Sequence, residues 1–327
     1  MKALLLAVRI ALLFALHQVQ GEERVIHEAD ICVYGGTASG VMAALAAKKE
    51  GAKIILIEPS RWLGGMTGGG INHLDWGKGN TVGGSTYKLL MEGVKVREQK
   101  HHGGHAVLGI GNKEYRERFK KVLEERGITV IHEHRLGKVR VGDAIIAAPT
   151  RQQPIAMGED TAPRGKAPSI RSITLDYAPF DKTGCPISEP KKRNAITVSA
   201  KVFIDCSYEG DVLGMSGASY TWGRESREHY GESLAGVRPS LWLHDIDPYV
   251  EPGNPESGVL PFVQDRKIGP LGSADDLTMG YCFRYEFDGS GKGIPVPEPT
   301  NYDPAEFEIY RRAIRNGVDI FSNRHMR

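Results

Sequence analysis

Ile31-Cys32-Val33-Tyr34-Gly35-Gly36-Thr37-Ala38-Ser39-Gly40 runs an apolar strand into a glycine turn, and Val41 to Glu50 continues as an alanine-rich helix that Gly51 stops. Each part of this stretch has a physical task. Gly35 permits the tight turn out of the strand, Gly40 lets the helix lie close against a sheet, and the helix N-terminus offers N–H groups to a pyrophosphate. A second apolar strand, Lys53 to Ile57, runs into Glu58, 18 residues after Gly40. That is near the offset at which a carboxylate accepts ribose hydroxyls and repels a 2′-phosphate. Strand, turn, helix, strand and acid in this order make a clamp for a dinucleotide. The middle glycine of the usual G-x-G-x-x-G is Thr37 here, so a hydroxyl stands where backbone normally approaches the diphosphate and is expected to donate to it.

The residues after Glu58 separate a flavin from a nicotinamide. Pro59-Ser60-Arg61-Trp62-Leu63-Gly64-Gly65-Met66-Thr67-Gly68-Gly69-Gly70 sets a glycine-lined turn just beyond the ribose acid, where FAD threads its extended diphosphate and ribityl chain. A nicotinamide domain has little use for such a turn. Far downstream, Val202-Phe203-Ile204-Asp205-Cys206-Ser207-Tyr208-Glu209-Gly210-Asp211 reads as a returning strand that ends in a small-residue turn before a new helix.

At these residues the chain resembles the FAD-dependent oxidoreductases that share the glutathione-reductase type of nucleotide fold. It is similar in particular to the bacterial branch sometimes labelled xanthan lyase. The resemblance rests on Val33 to Gly40, Leu63 to Gly69, Phe203 to Asp211 and Tyr281-Cys282-Phe283-Arg284, in that order, and spans Ala29 to the C-terminus apart from about 149 to 168. Thr37 is the residue that the branch carries at its position. The resemblance implies an α/β fold: a Rossmann-like FAD-binding domain, a parallel sheet with a β-meander insertion, plus part of a substrate domain. It also implies a later segment that returns to the flavin. With the sequence ending ten residues after Gly317, a C-terminally truncated member is expected.

Bulk properties set the outer limits. At 327 residues, 40% hydrophobic and 25% charged, the chain can bury a sizeable core. Its 42 basic and 40 acidic residues leave a formal charge of +2, which gives no field for nucleic acid or an anionic membrane. Residues 1–21 carry Lys2, Arg9 and an apolar run too short to span a bilayer, and read as a signal peptide with Val19 and Gly21 before a cut near Glu22. A retained anchor or a mis-started frame is the alternative. The expected location is therefore secreted or periplasmic, with no stable membrane insertion after cleavage. Cys32, Cys185, Cys206 and Cys282 form no spaced framework and no C-x-x-C, so buried structural thiols are expected and the disulfide-reductase branch is disfavoured.

The expected organisation is a signal peptide over 1–21, an FAD-binding domain over 22–225 with an insertion at about 136–200, and a partial substrate domain over 226–327. Thr86 to Gln99 reads as a helix. His101, His102 and His105 lie among glycines without a carboxylate or thiolate nearby, so a solvated loop rather than a metal site is expected. Tyr115, Phe119, Val122 and Leu123 form a core-facing stripe, which makes Lys113 to Arg126 a crossover helix leading to a third parallel strand at Ile128 to His132. Val139 to Ala148, Ile170 to Tyr177 and Ile196 to Asp205 read as the strands of the meander, with Lys191, Lys192 and Arg193 at a turn. Further strands are expected near Leu241 to His244 and Met279 to Phe287. Asp303-Pro304-Ala305-Glu306 opens a helix that Gly317 closes.

The candidate cofactor contacts are Gly35, Gly36, Thr37, Ala38, Ser39 and Gly40 for the diphosphate and Glu58 for the ribose, with Arg61 beside it. Gly64, Gly65, Met66 and Thr67 face the ribityl side, and Ser207 and Asp211 the adenine end. Asn72-His73-Leu74-Asp75-Trp76 leaves the glycine turn toward the ring, making His73 a candidate base and Asp75 its orienting acid; Arg284 is a candidate anion clamp. The two function classes in play are a flavoenzyme, oxidising a small organic or sugar-derived substrate and passing electrons to an unidentified acceptor, and a non-catalytic nucleotide-binding fragment. No constellation for a xanthan lyase is present.

Overall fold

The computed structural model describes residues 25–69, 75–77, 83–91, 96–98, 106–108, 112–147, 169–181, 186–238, 246–266, 268–278, 291–292, 295, 298 and 302–318. The chain divides into two compact units, 1–220 and 221–327. The first is built on a seven-stranded sheet. Its parallel half comprises β1 (Val25–Tyr34), β2 (Ile54–Glu58), β6 (Thr129–His132) and β10 (Lys191–Asp205), in the spatial order β6-β2-β1-β10. Helix α1 (Ala38–Lys49) joins β1 to β2, and α4 (Asn112–Glu125) leads into β6.

Alternation along the strands sends side chains to two cores. Cys32 and Tyr34 of β1 and Ile55 and Ile57 of β2 enter one, with Ile173, Leu175, Val198, Val212 and Met215. Val33, Ile54 and Leu56 enter the other, against Val41 and Ala44 of α1 and Tyr115, Phe119 and Leu123 of α4. Every residue of β2 is buried, which is why it reads as an unbroken apolar run rather than as an alternation. The stripe of α4 buries Tyr115, Phe119 and Leu123 as the sequence implies, while Val122 is half-buried.

Beyond β10 the sheet turns antiparallel. β9 (Ile170–Tyr177) pairs with β10 and with β7 (His134–Val141), and β8 (Ala144–Ala147) closes the edge. The single strand expected from Val139 to Ala148 is thus the two arms of a hairpin. Gly142, at φ 57°, makes the turn, with Val141 opposite Ala144. β10 is also longer than expected: Lys191 already pairs with Tyr177, so Lys191, Lys192 and Arg193 open the strand instead of capping a turn. Because β10 is antiparallel to β9 and parallel to β1, it carries the chain from the meander back to the nucleotide fold without a break.

The helix expected over Thr86 to Gln99 is α3 (Gly84–Met91), followed by a short strand β4 (Val96–Glu98) in a second sheet of order β3-β5-β4, with β3 (Asp75–Gly77) and β5 (Ala106–Leu108). Gly93 and the β-branched Val94 and Val96 weaken a helix there. In the second unit lie α6 (Arg227–Tyr230) and a 3₁₀ turn, Pro304–Phe307, which Asp303 caps and which runs into α7 (Glu308–Arg315). Gly317 at φ 79° follows it, as expected. Arg312 of α7 donates to the carbonyls of Asp247, Tyr249 and Val250, and Arg224 pairs with Asp275 across a β-bridge. The strands expected near Leu241 to His244 and Met279 to Phe287 lie outside the described residues. Among the described residues no helix is long and apolar enough to cross a membrane.

Candidate functional site

Three loops leave the C-terminal ends of parallel strands β1, β2 and β10 and are bonded to one another. The loop after β1 is Gly35 to Thr37, which enters α1; the loop after β2 is Pro59 to Gly65, which enters the short helix α2 (Met66–Gly69); and the loop after β10 is Cys206 to Gly210, which enters α5 (Asp211–Met215). Gly64 N donates to Gly36 O at 2.7 Å, joining the first loop to the second. Cys206 N donates to Tyr34 O at 2.7 Å, and the Thr37 hydroxyl donates to Cys206 O at 2.8 Å, joining the first to the third. Met66 N donates to the Tyr208 hydroxyl at 2.8 Å, joining the second to the third.

Glycine is required where these loops meet. A Cβ on Gly40 would lie within the van der Waals envelope of the Gly35 carbonyl oxygen, so α1 can start so close to β1 only without one. One on Gly36 would stand 2.7 Å from Glu58 Oε2, and one on Gly65 2.9 Å from Tyr208 Cζ. The glycines of the second turn admit protein groups: Gly64 accommodates the Phe119 ring and Gly65 the Tyr208 side chain.

Thr37 is buried and is the N-cap of α1. Its hydroxyl accepts from Gly40 N at 3.3 Å and lies 2.9 Å from Ser39 Oγ, and its one proton goes to Cys206 O. The hydroxyl thereby ties the loop after β1 to the loop after β10. The first turn of α1 contains no acidic side chain, which suits an anion at its N-terminus. Thr37→Val is expected to lower the stability of the first unit by about 1–2 kcal/mol through the lost cap and loop bond, with Thr37→Ser close to wild type. Urea unfolding of the two variants measures the difference.

Glu58 ends β2 almost wholly buried. Its Oε1 accepts from Ser60 N at 2.6 Å. Burial pushes its carboxyl above the usual carboxylate range, opposed by hydrogen bonds from Ser60 and Gly36 and by the nearby His132. A carboxylate held at this strand end, with glycine beside it, is the acceptor set that ribose hydroxyls need.

The remaining candidates fall in different places. Ser207 is bonded within its own turn: its hydroxyl donates to Asp205 at 2.7 Å and accepts from Gly210 N and Asp211 N. Asp211 accepts from the Tyr34 hydroxyl at 3.3 Å, and that hydroxyl accepts from Leu136 N, a junction of β1, β7 and α5. Burial raises the Asp211 carboxyl as well. Ala38 is half-buried and Ser39 exposed at the start of α1; Met66 is exposed and Thr67 half-buried. Arg61 stacks over Phe180 at 4.6 Å, and its Nε lies 3.5 Å from Glu133 Oε1. Glu133 sits at φ 57° between β6 and β7, its amide bonded to Ser60 O. Asp75 opens β3, opposite Val107, whereas His73 and Arg284 lie outside the described residues, as do His101, His102 and His105. Cys32 is buried and free, its thiol pushed up to about 12 by burial; Cys206 is free and half-buried. Sequence reading did not single out Tyr208, Glu133 or Phe180. Tyr208 stands inside the stretch after β10, but only the folded chain brings it to Met66.

Solved structures resemble the chain weakly. A THI4 protein from Thermovibrio ammonificans is 16% identical over 62% of this chain and 63% of its own, with a TM-score of 0.33. A geranylgeranyl bacteriochlorophyll reductase-like protein from Thermoplasma acidophilum is 12% identical over 59% and 43%, TM-score 0.33. A flavoprotein/dehydrogenase from Cytophaga hutchinsonii is 14% identical over 61% and 44%, TM-score 0.34. The chain thus spans less than two thirds of the length of these structures. No curated protein matches it. The family model described as FAD dependent oxidoreductase matches residues 30–158 and 185–327, which is most of the sequence, and the chain belongs to that family, whose cofactor is FAD.

Proposed function

We propose that FAD lies extended over the C-terminal ends of β1, β2 and β10, and that the whole protein oxidises a small organic or sugar-derived substrate, passing the electrons to a separate acceptor. The observation that supports this placement is the mutual bonding of the three loops, which gathers the α1 N-terminus, the Glu58 carboxylate and the second glycine turn into one region. The diphosphate meets the start of α1, the adenosine ribose meets Glu58, and the ribityl side follows Gly64 to Thr67. When bound, the flavin supplies a hydride acceptor. The chain's own groups then bind, orient and move protons: His73 takes the substrate's hydroxyl or amine proton, Asp75 orients that imidazole, and Arg284 holds an anionic or carbonyl group. The apolar and basic pattern of residues 1–21 supports a secreted or periplasmic setting.

Anaerobic mixing of the FAD-loaded chain with separate sets of alcohols, amines and sugar derivatives tests the reaction. Bleaching of the flavin bands by one chemical class is the expected result. Flavin that only dithionite reduces would assign this chain a binding role without catalysis.

A further inference from the structure

Among the described residues, Tyr208 is the one side chain that spans from the loop after β10 to the second glycine turn through a hydrogen bond. Its hydroxyl accepts from Met66 N at 2.8 Å, and its ring lies where a Cβ on Gly65 would be, 2.9 Å from Cζ and 3.0 Å from Cε2. Gly65 itself is left-handed, at φ 52°. Turn and tyrosine are therefore coupled: a side chain at 65 would displace the ring, and loss of the ring would remove this contact between the turn and the third loop. The other three bonds of the three-loop assembly, Gly64 N to Gly36 O, Cys206 N to Tyr34 O and Thr37 to Cys206 O, lie at the strand ends, close to the sheet. Tyr208 makes the outer link and is 54% exposed, so water can take over the Met66 amide when the hydroxyl is removed.

We propose that Tyr208 is a positioning residue for the cofactor: it fixes the turn from Gly64 to Met66 in the geometry that the ribityl side of FAD meets, and it acts through that turn. The inference rests on the placement of FAD given above. A loose turn would have to be ordered each time the cofactor binds, and pre-ordering it slows cofactor release.

The test compares the full chain with Tyr208→Phe, and with Gly65→Ala alone and combined with Tyr208→Ala. Three readouts are needed: the thermal midpoint without ligand, the rate of FAD release followed by recovery of flavin fluorescence, and the visible circular dichroism of the bound flavin. Tyr208→Phe is expected to release FAD about 3–10 times faster, as befits one lost hydrogen bond, and to alter the flavin dichroism while the ligand-free midpoint stays within about 1 °C. Gly65→Ala is expected to speed release in the wild-type background and to have a smaller effect in Tyr208→Ala, where no ring remains to be expelled. Release at the wild-type rate from Tyr208→Phe, or effects of the two positions that simply add, would overturn the proposal. Slower release from Tyr208→Phe would overturn it too, by making the tyrosine a competitor of the cofactor. If the unaltered chain takes up no FAD, it is the placement that fails, and the two failures are thereby told apart.

Discussion

Gly40→Ala is expected to destabilise the first unit by about 2–3 kcal/mol and to abolish retention of FAD through gel filtration. The added methyl group would press on the Gly35 carbonyl oxygen, and the neighbouring Gly35 carbon and Cys206 Cβ, at 3.1 and 3.3 Å, leave no side into which it can move. The obstruction is backbone, so no rotamer change relieves it. The start of α1 must lift from β1, and that movement strains the Thr37 bonds to Cys206 O and to Gly40 N together. Differential scanning calorimetry with and without FAD reads both effects. A midpoint lowered by about 4–10 °C, with no ligand-induced rise, is the expected outcome. A variant that melts and binds like wild type would show that helix and strand are not in the close contact described.

Glu58→Gln is expected to separate binding from stability. Removing the negative charge weakens charge-assisted hydrogen bonds to the ribose, so FAD affinity should fall by about 10–100-fold. Ligand-free stability follows a different rule. Burial raises the folded-state pKa of Glu58 above its ordinary value of 4.5, so as pH rises above that value the unfolded chain loses its proton first and the folded state is progressively disfavoured. That contribution is fully present below about pH 4.5 and is lost as pH passes through the raised value. Glutamine does not titrate, so Glu58→Gln should gain stability relative to wild type as pH rises from 4.5 through the raised value, while binding FAD worse throughout. Denaturant midpoints across that range, paired with FAD titrations, give the comparison. An unchanged affinity would remove Glu58 from the site, and a stability difference that shrinks with rising pH would contradict its raised pKa.

The nucleotide fold was legible because its local chemistry and its tertiary role agree. Gly35 and Gly40 allow a close approach of helix and strand at a fixed spacing, and the buried run of β2 cannot face water on either side. The meander was less legible. Val139 to Ala148 is apolar on both sides of Gly142, and only pairing distinguishes one long strand from two short ones. The start of β10 escaped because Lys191, Lys192 and Arg193 read as a solvated tip, whereas the strand's position is set downstream, where Ile196 to Asp205 pairs with β1. The candidate site divides in the same way. Its glycines and its acid announce themselves in sequence, but what they face does not: Thr37 offers a hydroxyl to any acceptor, and the nearest proves to be Cys206 O, 169 residues away. Tyr208 reaches Met66 across 142 residues, a relation that no spacing rule encodes.

The most direct measurement is a titration of the purified, cofactor-free chain with FAD, followed by visible absorbance and gel filtration. One equivalent should bind with a shifted flavin spectrum and elute with the protein, and an excess of ADP, which shares the adenosine and diphosphate, should compete with it. Flavin that elutes at the small-molecule volume with the spectrum of the free cofactor would contradict the placement of FAD at the three loops.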